Sequence, residues 1–480
     1  MVVGAGNAGF CAAIAAAQQN AHVLLLEAAP ENEWGGNSAL TMNFRFPHRR
    51  LEDLLGFVEP VARYRMEAVR TCYQPYPPEA YLDDLVRVSS GHADPLLARS
   101  LAFGAAADAD WLRALGHRWI LRDPANIVPG AMPIRIDGGG GALQRRHRDA
   151  ATALGVDINF ASSLTTLDME DGIFHLGMEG PDGSEQIDAA SVVLACGGFE
   201  ANAAMRAEHL GEEWRDVAAR GVSTNCGDGL RLARALGADT AGDWSSCHAT
   251  PQDADLPPFM LPHQQKDSQA NARYAFNLGI TVNRNGERFV DEGQDFPNLV
   301  YARMGRAILA QPDAIAWQLF DHHTVTMLPD SYFAAGNLLS SDSPTALADQ
   351  VGIDPARLEA TIAAFNAAAH DQVHYDRRDG HGTRGLSPDK SNWALRLTTP
   401  PYYITPVRTG ITFTYGGLRV DGEARVLHRD GPAIPGLFCC GEMAGGLFHG
   451  NYVGGSGLMF GSHLGRRAGI LAAKINPKWM

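Results

Sequence analysis

Near the C-terminal end of the chain one phenol stands among glycines, in Gly441-Glu442-Met443-Ala444-Gly445-Gly446-Leu447-Phe448-His449-Gly450-Asn451-Tyr452-Val453-Gly454-Gly455-Ser456-Gly457-Leu458. Glycine lets backbone amides approach a flat or anionic partner closely, and Tyr452 adds a neutral O–H donor to that approach. Four arginines, Arg45, Arg135, Arg273 and Arg408, carry the planar fork that can hold both oxygens of a carboxylate. Arg45, flanked by Phe44 and Phe46, and Arg408, among strand residues leading to the last segment, are the favoured pair for a substrate carboxylate.

Elements at both ends of the chain must position these groups. The C-terminal segment follows an apolar strand (436–440) and precedes a helix (457–474). At the other end, Val2-Val3-Gly4-Ala5-Gly6-Asn7-Ala8-Gly9 leads into an alanine-rich helix (10–20) and a strand (21–26) ending at Glu27 and Ala28. Here Gly4 makes the tight turn, Gly6 admits a pyrophosphate, and Gly9 lets helix and strand pack closely. The helix N-terminus faces the phosphate charge, and Glu27 is placed to accept ribose hydroxyls. Further segments point to a flavin rather than a nicotinamide. Gly36-Asn37-Ser38 and Thr41 form a loop after the second strand, Ala195-Cys196-Gly197-Gly198 ends another strand, and Asp228 opens a helix after Asn225-Cys226-Gly227. Gly138 to Gly141 opens a further helix (142–154), either as a plain loop or close to the active site.

The fold class expected is α/β, a Rossmann-like FAD-binding domain interrupted by an α+β capping domain. Residues 1–245 and 401–480 form the first and residues 246–400, richer in proline, histidine and polar loops, the second. A formal net charge of -14 over 480 residues disfavours nucleic acid and anionic membranes as partners. No apolar run reaches the roughly 20 residues of a membrane span, and no signal peptide opens the chain. The seven cysteines (Cys11, Cys72, Cys196, Cys226, Cys247, Cys439 and Cys440) show no metal or haem spacing and read as reduced thiols of a cytoplasmic protein. No metal site is expected.

With these residues in view, the chain resembles the flavoprotein family of fumarate reductases, succinate dehydrogenases and 3-ketosteroid dehydrogenases, nearest the tricarballylate dehydrogenase-like branch. The resemblance rests on Gly4-x-Gly6-x-x-Gly9, Gly36-Asn37-Ser38, Ala195-Cys196-Gly197-Gly198, Asn283-Arg284-Asn285-Gly286-Glu287-Arg288-Phe289-Val290-Asp291-Glu292 and the segment around Tyr452. It implies FAD, with Glu442 on the ribityl chain and the helix starting near Ser456, through Gly457 and Leu458, aimed at the flavin pyrimidine. It also implies a substrate lying between the two domains. The family's covalent-flavin histidine is replaced by Ala39 after Ser38, so the FAD is expected to be non-covalent.

The departures carry the functional reading. The proton-donating arginine of fumarate reductases, eight residues after the position of Arg288, is Phe296 here. A carboxylate-clamping arginine is replaced by Tyr452, and the histidine of the His-x-Met-Gly-Gly motif by Phe413; only His248 of the His-Pro-Thr motif persists. Tyr452 is similar to the tyrosine of ketosteroid dehydrogenases that, with a backbone N–H four residues on (Ser456), holds a ketone oxygen as the enolate forms. The base those enzymes carry at the position of Phe296 is missing, and Tyr301, Tyr403, Tyr415, His248 and His449 are its substitutes. The expected activity is desaturation beside a carbonyl of a small carboxylated substrate, such as an oxocyclohexanecarboxylate. A tricarballylate-type polycarboxylate dehydrogenase and an ene-reductase running the reverse reaction are the alternatives. The electron acceptor stays open among oxygen, a quinone and another protein.

Overall fold

In the computed structural model the described residues are 1–60, 69–70, 73–122, 132–262, 270–369 and 380–475. They divide into two units: Met1–Cys247, Phe259–Ser268 and Thr412–Met480 form one, His248–Pro258 and Gln269–Ile411 the other.

The first unit is built on a six-stranded sheet in the order Arg425–Leu427, Ala433–Cys439, Val192–Leu194, Val2–Val3, Leu24–Leu26, Asp157–Asn159. Every neighbouring pair is parallel except Arg425–Leu427 with Ala433–Cys439. The central strands are continuous apolar runs because a parallel sheet is covered on both faces. The first helix, Asn7–Ala17, packs on the last, Ser456–Ala472, so that the two ends of the chain meet. Glycine makes this contact possible: a Cβ at Gly465 would overlap the Ala8 carbonyl, and one at Gly469 the Ala12 carbonyl.

The glycine run of 138–141 proves to be a packing device. The helix starts inside it, at Gly139, and a Cβ at Gly140 would overlap the carbonyls of Ser38 and Thr41. One element of this unit went unforeseen, a three-stranded antiparallel sheet of Ser163–Glu170, Ile173–Gly180 and Gly183–Ala189. Its signal was present in Asp171-Gly172, whose positive φ values of 52° and 82° make the two-residue turn that hairpins favour.

The second unit is α+β. Ile280–Asn283, Ile315–Phe320 and the first half of Tyr402–Thr414 pair antiparallel in sequence, with Leu339–Ser341 added against Tyr402–Ile404. The helices Pro297–Leu309, Pro344–Val351 and Pro355–Ala368 each begin with proline, whose fixed φ suits the first helical position. Ile280, Val282, Trp317, Leu319, Leu347, Leu358, Phe365 and Ile404 share a buried core. Among the described residues no helix is long and apolar enough to cross a membrane. The six described cysteines are free thiols; Cys72 lies outside the described residues.

Candidate active site

The motifs at the two ends of the chain interlock. Asn7 N–H donates to Ser38 Oγ at 3.1 Å, and Asn7 Nδ2 donates to the Leu458 carbonyl at 2.9 Å. Its Oδ1 lies 3.0 Å from Nε2 of His147, a buried imidazole kept neutral by its burial. Gly9 must be glycine because a Cβ there would overlap the Gly4 carbonyl, whereas at Gly6 the nearest atom would be Ser38 Oγ at 3.6 Å. The open approach at Gly6, beside first-turn amides that have no intrahelical acceptor, fits a pyrophosphate. Glu27 is buried at the strand end, where Oε2 accepts from Ala5 N and Oε1 from Ala29 N, both at 2.8 Å. A carboxylate has about four lone-pair sites, so each oxygen retains one for a ribose hydroxyl. Ala195 continues the ladder by donating to the Val3 carbonyl at 2.8 Å, and Ala28 is exposed beside Glu27. Asp228 is exposed at the start of its helix, 3.7 Å from Arg231.

Glu442 meets an acid that sequence reasoning missed, Glu200. Glu200 Oε1 accepts from Asn37 Nδ2 at 2.6 Å and Asn225 Nδ2 at 2.5 Å; Glu442 Oε1 accepts from Thr414 N at 2.6 Å and Thr414 Oγ1 at 3.0 Å. A Cβ on Gly198 would overlap Glu442 Oε1 and lie 2.8 Å from Glu200 Oε2. Burial raises the pKa of both carboxyls, and the charge of Glu200 raises Glu442 further. Neutral donors alone serve the pair among the described residues, which favours the protonated form of one carboxyl over two adjacent charges. Asn37 has the further task of tying the flavin loop to the Thr412 carbonyl at 2.9 Å and to Val222 N–H at 2.8 Å.

Tyr452 is buried, packed against Phe448 at 4.8 Å and Phe413 at 6.0 Å between ring centroids. Its phenolic oxygen accepts the Gly457 N–H at 2.7 Å. A Cβ on Gly457 would stand 2.7 Å from that oxygen, so glycine keeps the contact open. Burial pushes the Tyr452 pKa up to about 12, partly offset by the Gly457 N–H, so the group is a neutral donor near pH 7. The expected second donor is a correction. Ser456 N–H is spent within the turn on the Val453 carbonyl at 3.0 Å, and Ser456 Oγ accepts from Tyr81 at 2.9 Å.

Arg45 also differs from expectation. Its Nε donates to the Gly454 carbonyl at 2.7 Å, its NH1 lies 3.9 Å from Asp84, and its guanidinium covers the Tyr76 ring at 5.2 Å. Burial disfavours its charge, but Tyr76, Tyr81 and Asp84 outweigh that and raise its pKa. With the fork engaged and 2% of the residue exposed, Arg45 braces the turn beneath Tyr452 rather than gripping a carboxylate. His449 is a second correction. It stacks on His92 at 4.2 Å and lies 3.5 Å from Asp243, with 40% of its side chain exposed.

Within the second unit, His248 and Tyr301 pack edge-on at 4.9 Å, and Tyr274 joins Tyr301 at 5.0 Å. Tyr403 stands apart from them, against the cluster of Phe320, Val325, Leu328 and Tyr332. Phe296 caps the helix Pro297–Leu309 and packs on Trp393 at 5.1 Å. Arg408 is exposed, opposite Ile315 on the sheet, while Arg273 is buried and committed to Asp253.

Set beside known proteins, residues 73–458 match the family model described as FAD binding domain, and residues 2–50 that of an NAD(P)-binding Rossmann-like domain. A probable fumarate reductase of Shewanella frigidimarina is 29% identical over 99% of this chain and 74% of its own length. A 3-oxosteroid 1-dehydrogenase of Mycobacterium tuberculosis is 28% identical over 78% of this chain and 66% of its own. The open conformation of a flavocytochrome c3 fumarate reductase superposes with a TM-score of 0.73 at 27% identity, covering 98% of this chain and 77% of that one. The fold and the glycine-lined site are thus those of an FAD-dependent oxidoreductase acting on CH–CH groups. The chain belongs to the FAD-binding domain family that embraces fumarate reductases and 3-ketosteroid dehydrogenases.

Proposed function

We propose that the protein desaturates a small carboxylated ketone, such as an oxocyclohexanecarboxylate, by placing a C=C bond beside the carbonyl. The observation that carries this reading is the state of Tyr452. Its oxygen accepts the Gly457 N–H and burial keeps the phenol neutral, so it is a donor-type group held in place by the glycine-rich turn. A carbonyl is the matching acceptor, and a donor aimed at it stabilises the enolate as the α-proton leaves. FAD, held without a covalent bond, supplies the acceptor for the β-hydride. Arg45 keeps the Gly454–Gly457 turn in register so that the phenol does not swing away. Glu200 and Glu442 hold Asn37 and Thr414, fixing the flavin loop against the strand that carries Phe413. A tyrosine or histidine base takes the α-proton.

Tyr452→Phe tests the reading. It deletes one hydroxyl while keeping the ring packing on Phe448. Anaerobic reduction of the bound flavin by oxo acids should slow about 100- to 1,000-fold, the range for loss of one oxyanion donor. An unchanged rate on every ketone would remove Tyr452 from the chemistry.

A further inference from the structure

The strand Trp119–Leu121 pairs antiparallel with Ile134–Ile136, and this short ribbon brings two arginines together. Ile120 lies opposite Arg135, and Arg122 N–H donates to the Pro133 carbonyl at 2.9 Å. Both side chains lean on the segment that follows the flavin loop. Arg122 NH2 donates to Asn43 Oδ1, and Arg135 NH1 lies 3.5 Å from the sulfur of Met42. The Ile136 N–H donates to the Met42 carbonyl at 3.2 Å, which fixes the ribbon against that segment. Three residues after Met42, Arg45 N–H donates to the Gly455 carbonyl at 3.1 Å, beneath Tyr452. One strip of chain, 42–45, therefore carries both the paired arginines and the brace of the carbonyl donor.

Among the described residues these partly buried arginines lack the carboxylate that Arg273 and Arg288 possess. Nε of Arg122 is sealed from solvent and has no hydrogen-bond partner among the described residues. Among the described residues neither Arg122 nor Arg135 has a carboxylate within ion-pair distance. Two described acids of this region are engaged elsewhere: Asp137 with Arg146 at 3.2 Å, and Asp84 with Arg87 at 3.0 Å and with Arg45 at 3.9 Å. Burial and the like charges of Arg135 and Arg45 pull the Arg122 pKa down to about 10. Arginine keeps its proton at neutral pH, so the cost of this unmatched charge falls only when an anion arrives.

We propose that Arg122 and Arg135 together bind the substrate carboxylate, and that they, rather than Arg45 or Arg408, select for an acid. This deepens the reading of the preceding subsection, resting on it for the ketone but not for the carboxylate.

Calorimetric titration of the FAD-loaded protein with cyclohexanecarboxylate and with cyclohexanecarboxamide tests the inference without turnover. The carboxylate should bind the wild type, and more tightly than the amide. Arg122→Gln and Arg135→Gln should each weaken carboxylate binding roughly 10- to 100-fold, the range for a hydrogen bond to a charged group, and leave amide binding unchanged. Arg122→Lys should recover part of the loss, and flavin content should report intact folding in every variant. Equal carboxylate affinity in wild type and both glutamine variants overturns the proposal, as does a wild type that binds no carboxylate. Carboxylate binding through these arginines, with no oxo acid reducing the flavin, would sink the ketone reading and leave this site standing. Reduction by oxo acids with the same KM in both variants would do the reverse.

Discussion

Two clusters of charge in the nucleotide-binding unit, one buried and one partly buried, are built in opposite ways. Between the helices Pro95–Ala114 and Ser456–Ala472, Asp108 is complete: Oδ2 lies 2.6 Å from His463 Nδ1 and Oδ1 2.9 Å from Arg466 NH1, while Ser100 Oγ takes the other histidine nitrogen at 2.9 Å. Burial raises the Asp108 pKa, but its bonds to His463 and Arg466 outweigh that and hold it below its ordinary value. Along 42–45 and its flanking ribbon, Arg122 and Arg135 have only neutral partners among the described residues. A balanced cluster joins two helices and needs nothing further. An unbalanced one is stable only because the surrounding fold supports it, and it suits a ligand of opposite sign.

The difference can be broken most sharply through stability. Asp108→Ala leaves His463 and Arg466 without their acid and should cost about 3–5 kcal/mol, the range for breaking a buried ion pair. Arg122→Gln removes a charge that has no carboxylate partner among the described residues, so the urea midpoint of the protein without substrate should stay level or rise. Equal losses from the two substitutions would erase the distinction. The loss of carboxylate binding in Arg122→Gln, and of flavin reduction in Tyr452→Phe, come next in size.

The smallest expected effects are in pH dependence, and they have opposite signs. The folded pKa of Asp108 lies below 3.8, so its stabilisation is full above that pH and is lost as pH falls through the folded value. Glu200 and Glu442 have folded pKa values above 4.5, so the folded state binds more protons and stability declines as pH rises from there. Each unit of displacement is worth about 1.4 kcal/mol. Urea midpoints measured across pH should therefore lose their acid-side fall in Asp108→Asn and part of their decline above 4.5 in Glu200→Gln. A Glu200→Gln profile that parallels the wild type would show that the pair holds no proton.

How much of this could be read from the sequence depends on how local each feature is. The dinucleotide site was legible because Gly4, Gly6, Gly9 and Glu27 act within one strand–helix–strand unit whose spacing is its geometry. Tyr452 was legible through the glycines around it. Glu200 was missed because its partner, Glu442, belongs to a strand end distant in sequence, although Glu200 lies only two residues after the motif Ala195-Cys196-Gly197-Gly198. Arg45 and Ser456 were misread because their donors are consumed by turn carbonyls, a fact that only closure of the 453–457 turn creates. Arg122 carries no local signal: it is one arginine after Trp119-Ile120-Leu121, and it matters only because a second strand brings Arg135 alongside.

The central claim is desaturation beside a carbonyl, with a neutral phenol holding the oxygen. Its most direct measurement is the visible flavin absorbance of the FAD-loaded protein mixed anaerobically with 4-oxocyclohexanecarboxylate. The account predicts bleaching with formation of the α,β-unsaturated oxo acid, slowed about 100- to 1,000-fold by Tyr452→Phe. Bleaching by an open-chain tricarboxylate alone, at a rate indifferent to Tyr452→Phe, would contradict it.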